Sequence, residues 1–114
     1  MDKEYLDLCE NAAYTKKREL EHRLRVACAK QVLSEWETIA QEEAIKADKI
    51  DGKNAETRKI QLEAVVLNES RVTEARRVLE QEERDLNETI AESVYAEAKL
   101  SITKAWLYSQ ARIT

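Results

Sequence analysis

The chain has 114 residues, with one glycine, no proline and 37% charged residues, and its formal net charge is −4. Folds with many turns need glycine and proline, so this composition argues against β-sandwiches, β-barrels and α/β folds, and a single glycine cannot build a phosphate-binding loop. The acidic balance argues against a protein that coats nucleic acid nonspecifically.

The first predicted element is a helix from about residue 3 to residue 50. Cys9 and Cys28 on this helix would lie roughly 28 Å apart, beyond disulfide reach, which predicts free thiols in a reducing compartment. The first residues lack the features of a signal peptide, and no apolar run approaches the ~20 residues of a membrane span, so we expect a cytoplasmic protein without a membrane partner. The apolar stripe of this helix is loose and consists of Leu6, Cys9, Ala13, Leu20, Leu24, Ala27, Val32, Trp36, Ile39 and Ile50.

A turn is predicted at residues 51–54. Glycine adopts left-handed backbone without a steric penalty, so Gly52 is the expected cap at the end of helix one. Asn54 is the expected N-cap of helix two, with Glu56 in the first turn of that helix. A stop signal and a start signal so close together predict a tight αα-hairpin.

Helix two is predicted from about residue 55 to residue 113 and shows a seven-residue repeat. Each helix is far longer than the globular mean, as is typical of a coiled coil. Sequence therefore predicts one all-α domain over residues 1–114, a long antiparallel helical hairpin that a dimer would complete to a four-helix bundle. The repeat consists of Val65, Val72, Leu79, Leu86, Ser93, Leu100 and Leu107, of which Val65, Val72, Leu79 and Leu86 are expected to hold the hairpin. The companion series, three residues earlier, is mixed and runs through Leu62, Glu69, Arg76, Glu83, Ile90, Glu97 and Lys104.

The hairpin predicts which charges face each other and which residues stay unpaired. If the turn centres on residues 52–53, facing residue numbers sum to about 105, so the basic part of helix one would meet the acidic residues 80–88. Residues 104–114 then extend beyond helix one as an apolar, aromatic segment, a typical interaction surface. The expected interface, with a second copy or with another protein, comprises Leu100, Trp106, Leu107 and Tyr108.

Residues that could carry chemistry are few. Glu19 and His22 have the i, i+3 spacing of a di-iron motif, but a chain with a single histidine would need the second motif from another subunit. Such an intersubunit metal site is the least favoured hypothesis, because both residues are expected on the solvated flank. Cys9 and His22 would lie roughly 20 Å apart on one helix, so they could form a nucleophilic pair only between subunits. We expect no catalytic residue, no metal and no cofactor, and hence no enzyme.

Two nucleic-acid hypotheses stay open beside protein binding. The basic face Lys16–Lys30 has the residue types that grip phosphates, although the acidic part of helix two is expected to cover it. The acidic stretch Glu80–Glu97 could instead imitate a nucleic-acid backbone. Contact with nucleic acid is the less favoured alternative, and it would use Lys16, Lys17, Arg18, Arg23 and Arg25.

The turn segment Ile50-Asp51-Gly52-Lys53-Asn54-Ala55-Glu56-Thr57-Arg58-Lys59 resembles the mid-chain pattern of small all-helical proteins of bacteriophages and prophages. That family has no assigned activity, so the resemblance implies a phage-type accessory protein and transfers no catalytic residue. Together with the aromatic end, it predicts a non-enzymatic interaction module that modulates a protein partner by occupying its surface.

Overall fold

The structure, a computed structural model, describes residues 3–113. In this range it contains three helices and no strand: α1 (Lys3–Lys46), α2 (Ala55–Asn68) and α3 (Ser70–Ile113). The predicted all-α fold with a long helix pair is confirmed. None of the helices between residues 3 and 113 has the length and apolar character that crossing a membrane requires.

The described chain divides into two compact units. We call residues 3–24 with 84–113 the terminal unit, because it holds both chain ends. Residues 25–83 form the loop unit, which contains the end of α1, the loop, α2 and the start of α3.

The end of α1 differs from the prediction. The helix stops at Lys46, four residues before the expected end, and the left-handed residue is Asp48, with φ 55°, and not Gly52. The amide of Asp48 donates to the carbonyl of Ile45 (3.2 Å), and the amide of Lys49 donates to that of Ala44 (3.1 Å). These two bonds form a Schellman motif, which satisfies the last carbonyls of the helix, and aspartate tolerates its left-handed position better than most residues.

Gly52 is required for a different reason, its close approach to α2. A Cβ atom at this position would lie 2.9 Å from the backbone nitrogen of Arg58 and 2.9 Å from Cγ2 of Thr57. The Gly52 amide also donates to Oε1 of Gln61 at 2.8 Å, which ties the loop to the second turn of the helix. The predicted N-cap is confirmed, since Oδ1 of Asn54 accepts the amide of Thr57 at 2.8 Å.

The predicted second helix is interrupted at Glu69, where the backbone becomes extended (φ −76°, ψ 126°). Oε2 of Glu69 accepts the amides of Arg71 (2.8 Å) and Val72 (3.1 Å), which are the free donors of the first turn of α3. Its side chain thus takes the role of an N-cap, although glutamate is not among the preferred capping residues. For that reason the sequence shows no signal of this break.

A small apolar cluster forms the core of the loop unit. Val72 is fully buried, and it packs with Ala40 and Val66. Leu33 and Trp36 cover this cluster as partly buried neighbours. The loop unit is thus held by the end of α1 against α2 and the start of α3.

The terminal unit buries small and polar side chains where large apolar ones were expected. Its most buried positions are Thr15 and Glu19 on α1 and Thr89, Ser93 and Ala96 on α3. The hydroxyls of Thr15 and Thr89 donate to carbonyls of their own helices, at 3.0 Å and 2.9 Å, so these polar groups need no partner across the seam. Small side chains let helices approach closely, which excludes water without a large core residue.

The predicted stripe of helix one is on the wrong face over most of residues 6–32, whereas its members Cys9, Trp36, Ile39 and Ile50 are half-buried as expected. Leu6, Leu20 and Leu24 are exposed. The buried and half-buried residues of this part of α1 also repeat at spacings of three and four, but they lie on another face of the helix. On α3 the predicted seven-residue series is buried or half-buried throughout. Its companion series lies three residues after each member, whereas the prediction placed it three residues before. The α1 seam of the terminal unit is Tyr5, Leu8, Ala12, Thr15, Glu19 and His22, and the companion series on α3 is Ala75, Glu82, Thr89, Ala96 and Thr103.

The predicted pairing of charges is also displaced. Arg18 forms an ion pair with Glu92 in the terminal unit, at 3.0 Å, and these numbers sum to 110. Arg71 pairs with Glu43 in the loop unit, at 2.7 Å, with numbers that sum to 114. The helices are offset by five to nine residues from the expected register, since the loop residues fold back along α2 and do not form a tight turn.

Candidate interaction surfaces

The predicted interface residues near the end of α3 do not share one environment. Leu100 and Leu107 are half-buried members of the seven-residue series, whereas 58% of Trp106 and 64% of Tyr108 are exposed. Residues two apart on a helix point to different sides, so Trp106 and Tyr108 do not form one patch. Of the predicted overhang, Thr114 lies outside the described residues.

Each of the two aromatic residues has its own surroundings. Trp106 lies one turn after Ile102, which is 71% exposed, and the i, i+4 spacing places both on one face. Tyr108 lies on another side, where Nζ of Lys104 is 5.9 Å from the ring centroid. An open depression of about 610 Å³ adjoins the tyrosine and is lined by Ala105, Tyr108, Ser109 and Arg112.

Glu19 is not on the solvated flank that the expected inward position of Leu20 and Leu24 predicted, but is buried in the seam. Oε2 of Glu19 accepts from Nε of Arg23 at 3.1 Å and lies 3.5 Å from Nζ of Lys16. The hydrogen bond from Arg23 lowers the pKa of Glu19, and the charge of Lys16 adds to this effect, while burial of the carboxylate opposes it. The carboxylate is thus held charged by its own helix.

His22 is half-buried, and its Nδ1 atom is buried without a hydrogen-bond partner. No group of three or more histidine, cysteine, aspartate or glutamate side chains in residues 3–113 is arranged to hold a metal ion. The two thiols, Cys9 and Cys28, are free, as their spacing predicted.

The basic residues proposed for nucleic-acid contact are partly occupied by acidic partners. Lys16 and Arg23 bind Glu19, and Arg18 binds Glu92 and lies 5.9 Å from the ring of Tyr14. The remaining two candidates are exposed, Lys17 in the terminal unit and Arg25 in the loop unit. Neutralisation of three of the five cations weakens the electrostatic attraction that phosphate binding requires.

Sequence reasoning missed a cation–aromatic site in the loop unit. The guanidinium of Arg71 lies 4.8 Å from the ring of Trp36, and it binds Glu43 at 2.7 Å and Glu69 at 2.8 Å. The hydrogen bonds to Glu43 and Glu69 raise the pKa of Arg71. These residues are distant in sequence, so only the packing of the helices could reveal the site.

An open groove of about 440 Å³ adjoins this site. Its lining is mostly apolar and consists of Ala29, Val32, Trp36, Ser70, Arg71, Glu74, Ala75 and Val78.

The fold and these surfaces define an all-α protein with a long helix pair and several exposed apolar positions. Comparison of the chain with known protein families, with curated proteins and with solved structures finds no match. Its function must therefore be argued from its own surfaces.

Proposed function

We propose that the chain is a non-enzymatic protein-interaction module, of the type that phages and prophages encode, acting in the cytoplasm of the host cell. It binds a partner protein and modulates that partner by occupying its surface. The observation that carries this proposal is the exposure of Ile102 and Trp106, at 71% and 58%, on one face near the end of α3.

A solvent-exposed tryptophan beside an exposed isoleucine is typical of a binding anchor, because burial of such side chains dominates the energy of many interfaces. The charges on this end of α3 itself are all of one sign. From residue 98 to residue 112 the chain has the basic residues Lys99, Lys104 and Arg112 and no acidic residue. The partner surface that fits best is thus an apolar pocket with an acidic rim.

The test is capture of partners from a nuclease-treated lysate of the natural host, read by mass spectrometry. Trp106→Ala removes the anchor, and Leu67→Ala is the matched control, since Leu67 is 59% exposed and lies in the other unit. We expect one stoichiometric protein with the unaltered chain and with the control, and its loss with Trp106→Ala. Equal recovery by all three chains would refute the role of Trp106.

The alternative is an accessory factor in nucleic-acid recombination or packaging that uses the basic face Lys16–Lys30. Phosphate binding weakens steeply as salt rises, because bound counterions are released. Titration with single- and double-stranded DNA at several salt concentrations therefore tests this function. Lys17→Glu with Arg25→Glu would abolish such binding, whereas absence of binding at low salt would remove the alternative.

A further inference from the structure

The terminal unit has a second apolar face on α1, turned away from α3. Leu6, Leu20 and Leu24 on this face are 43%, 59% and 66% exposed, and Ala13 between them is also exposed. Leu6, Ala13 and Leu20 follow one another at spacings of seven, so they form one line along the helix. A solvated surface helix has no need for such a line, and its regular spacing is typical of a helix that packs against another.

Two charged residues occupy the same line, and they have opposite signs on the two sides of Ala13. Glu10 lies between Leu6 and Ala13, and Lys17 lies between Ala13 and Leu20, and both are exposed. From Leu6 onward the line is thus apolar, negative, small, positive, apolar. A second copy of the same helix, laid antiparallel across Ala13, presents leucine to leucine and Glu10 to Lys17.

We infer that the occupant of this face is a second copy of the chain, with the two α1 helices antiparallel and their two-fold axis at Ala13. An isologous interface must be complementary to itself, and this line meets that condition in both size and charge. The small side chain of Ala13 lets the two backbones approach at the crossing. Asp7 and Glu21 flank the face on one side, but like charges at an exposed edge cost little.

The size of this face indicates a weak dimer. The line from Leu6 to Leu20 spans about 21 Å of a helix about 10 Å wide, a small contact for a protein interface. We therefore expect a dissociation constant on the order of micromolar to hundreds of micromolar. The mass must accordingly be measured by light scattering over a wide concentration range, from about 1 µM to about 1 mM.

Leu20→Glu tests the apolar part of the interface, and Val94→Glu, at an equally exposed valine on α3 (both residues are 59% exposed), is the matched control. We expect Leu20→Glu to raise the dissociation constant at least about 100-fold, because two charges would be buried per dimer. The control is expected to leave the dissociation constant unchanged. A monomer at every concentration for the unaltered chain, or dissociation by Val94→Glu, would overturn the inference.

Charge reversal tests the pairing itself. Glu10→Lys alone should raise the dissociation constant about 10-fold, because the two-fold axis places like charges opposite each other at two contacts, and adding Lys17→Glu should restore it. In a chain with Cys9→Ser and Cys28→Ser, Ala13→Cys should form an interchain disulfide on mild oxidation, and Ala98→Cys should not. Failure of the double reversal to restore the dimer, or of the disulfide to form, would exclude the antiparallel arrangement.

This inference is independent of the proposed function. Leu20→Glu should change the mass and leave partner capture intact, whereas Trp106→Ala should do the reverse.

Discussion

Substitution of Asp48 by glycine and by alanine tests where α1 ends, because the order of stability of the two variants depends on the backbone conformation at this position. Asp48 has φ 55°, within the left-handed region, and it closes the Schellman motif of α1. If helix one instead continued to residue 50, position 48 would be an ordinary helical position.

The magnitudes follow from the conformational preferences of the two residues. A left-handed conformation costs an L-residue roughly 1–2 kcal/mol, and glycine avoids this cost. The greater conformational entropy of glycine in the unfolded chain lowers the stability of the glycine variant by about 0.4–1 kcal/mol. Asp48→Gly should therefore be more stable than Asp48→Ala by about 1 kcal/mol. In a continuous helix the order would reverse, with alanine more stable by about 1 kcal/mol.

The assay is urea unfolding followed by helical circular dichroism at one fixed protein concentration, since self-association would otherwise shift the transition. The expected difference corresponds to roughly 4 °C in Tm for a domain of this size. If Asp48→Ala proved more stable than Asp48→Gly, the Schellman ending of α1 would be refuted.

Three further predictions concern the loop unit. Gly52→Ala should lower the free energy of unfolding by about 1–2 kcal/mol, since its Cβ would lie 2.9 Å from a backbone nitrogen; an unchanged urea midpoint would contradict this close approach. Val72→Ala should cost about 2 kcal/mol in the same assay because the side chain is fully buried, whereas Val94→Ala, at a 59% exposed valine, should change stability by no more than about 0.5 kcal/mol. The hydrogen bond from Arg71 and those from two amides lower the pKa of Glu69 below its ordinary value of 4.5, while burial opposes them. The contribution of Glu69 to the free energy of unfolding is therefore present above pH 4.5 and is lost as the pH falls through the lowered pKa. Glu69→Gln should flatten this acid-induced loss of stability. An identical pH profile of stability for both chains would argue against the cap.

The comparison of sequence with structure is clearest at the two ends of the loop. Asn54 could be identified from sequence because asparagine is a preferred N-cap and its bond is local, to an amide three residues on. The end of α1 could not, because Asp48 tolerates the left-handed region without requiring it, while Gly52 is a stronger signal for the same conformation. The break at Glu69 depends on a capping bond that glutamate makes only occasionally.

The candidate surfaces also include one that sequence could predict and one that it could not. The exposed aromatic end of α3 could be predicted, because Trp106 and Tyr108 stand in the last turns of a long helix. That these two side chains lie on different faces follows from helical spacing and was missed by treating the segment as one patch. The site of Arg71 and Trp36 joins residues 35 positions apart, which no local pattern indicates.

Sequence by itself determined that this protein is helical and that helix two carries a seven-residue repeat, because near absence of glycine and proline and the spacing of apolar residues are local properties. Only tertiary structure decided which face of α1 is inside. The spacing of apolar residues predicts a helix, but which face of the helix is buried depends on how closely two helices can pack. Here Thr15, Ser93 and Ala96 allow the helices to approach closely. The exposed leucines Leu6, Leu20 and Leu24 lie on the other face of α1.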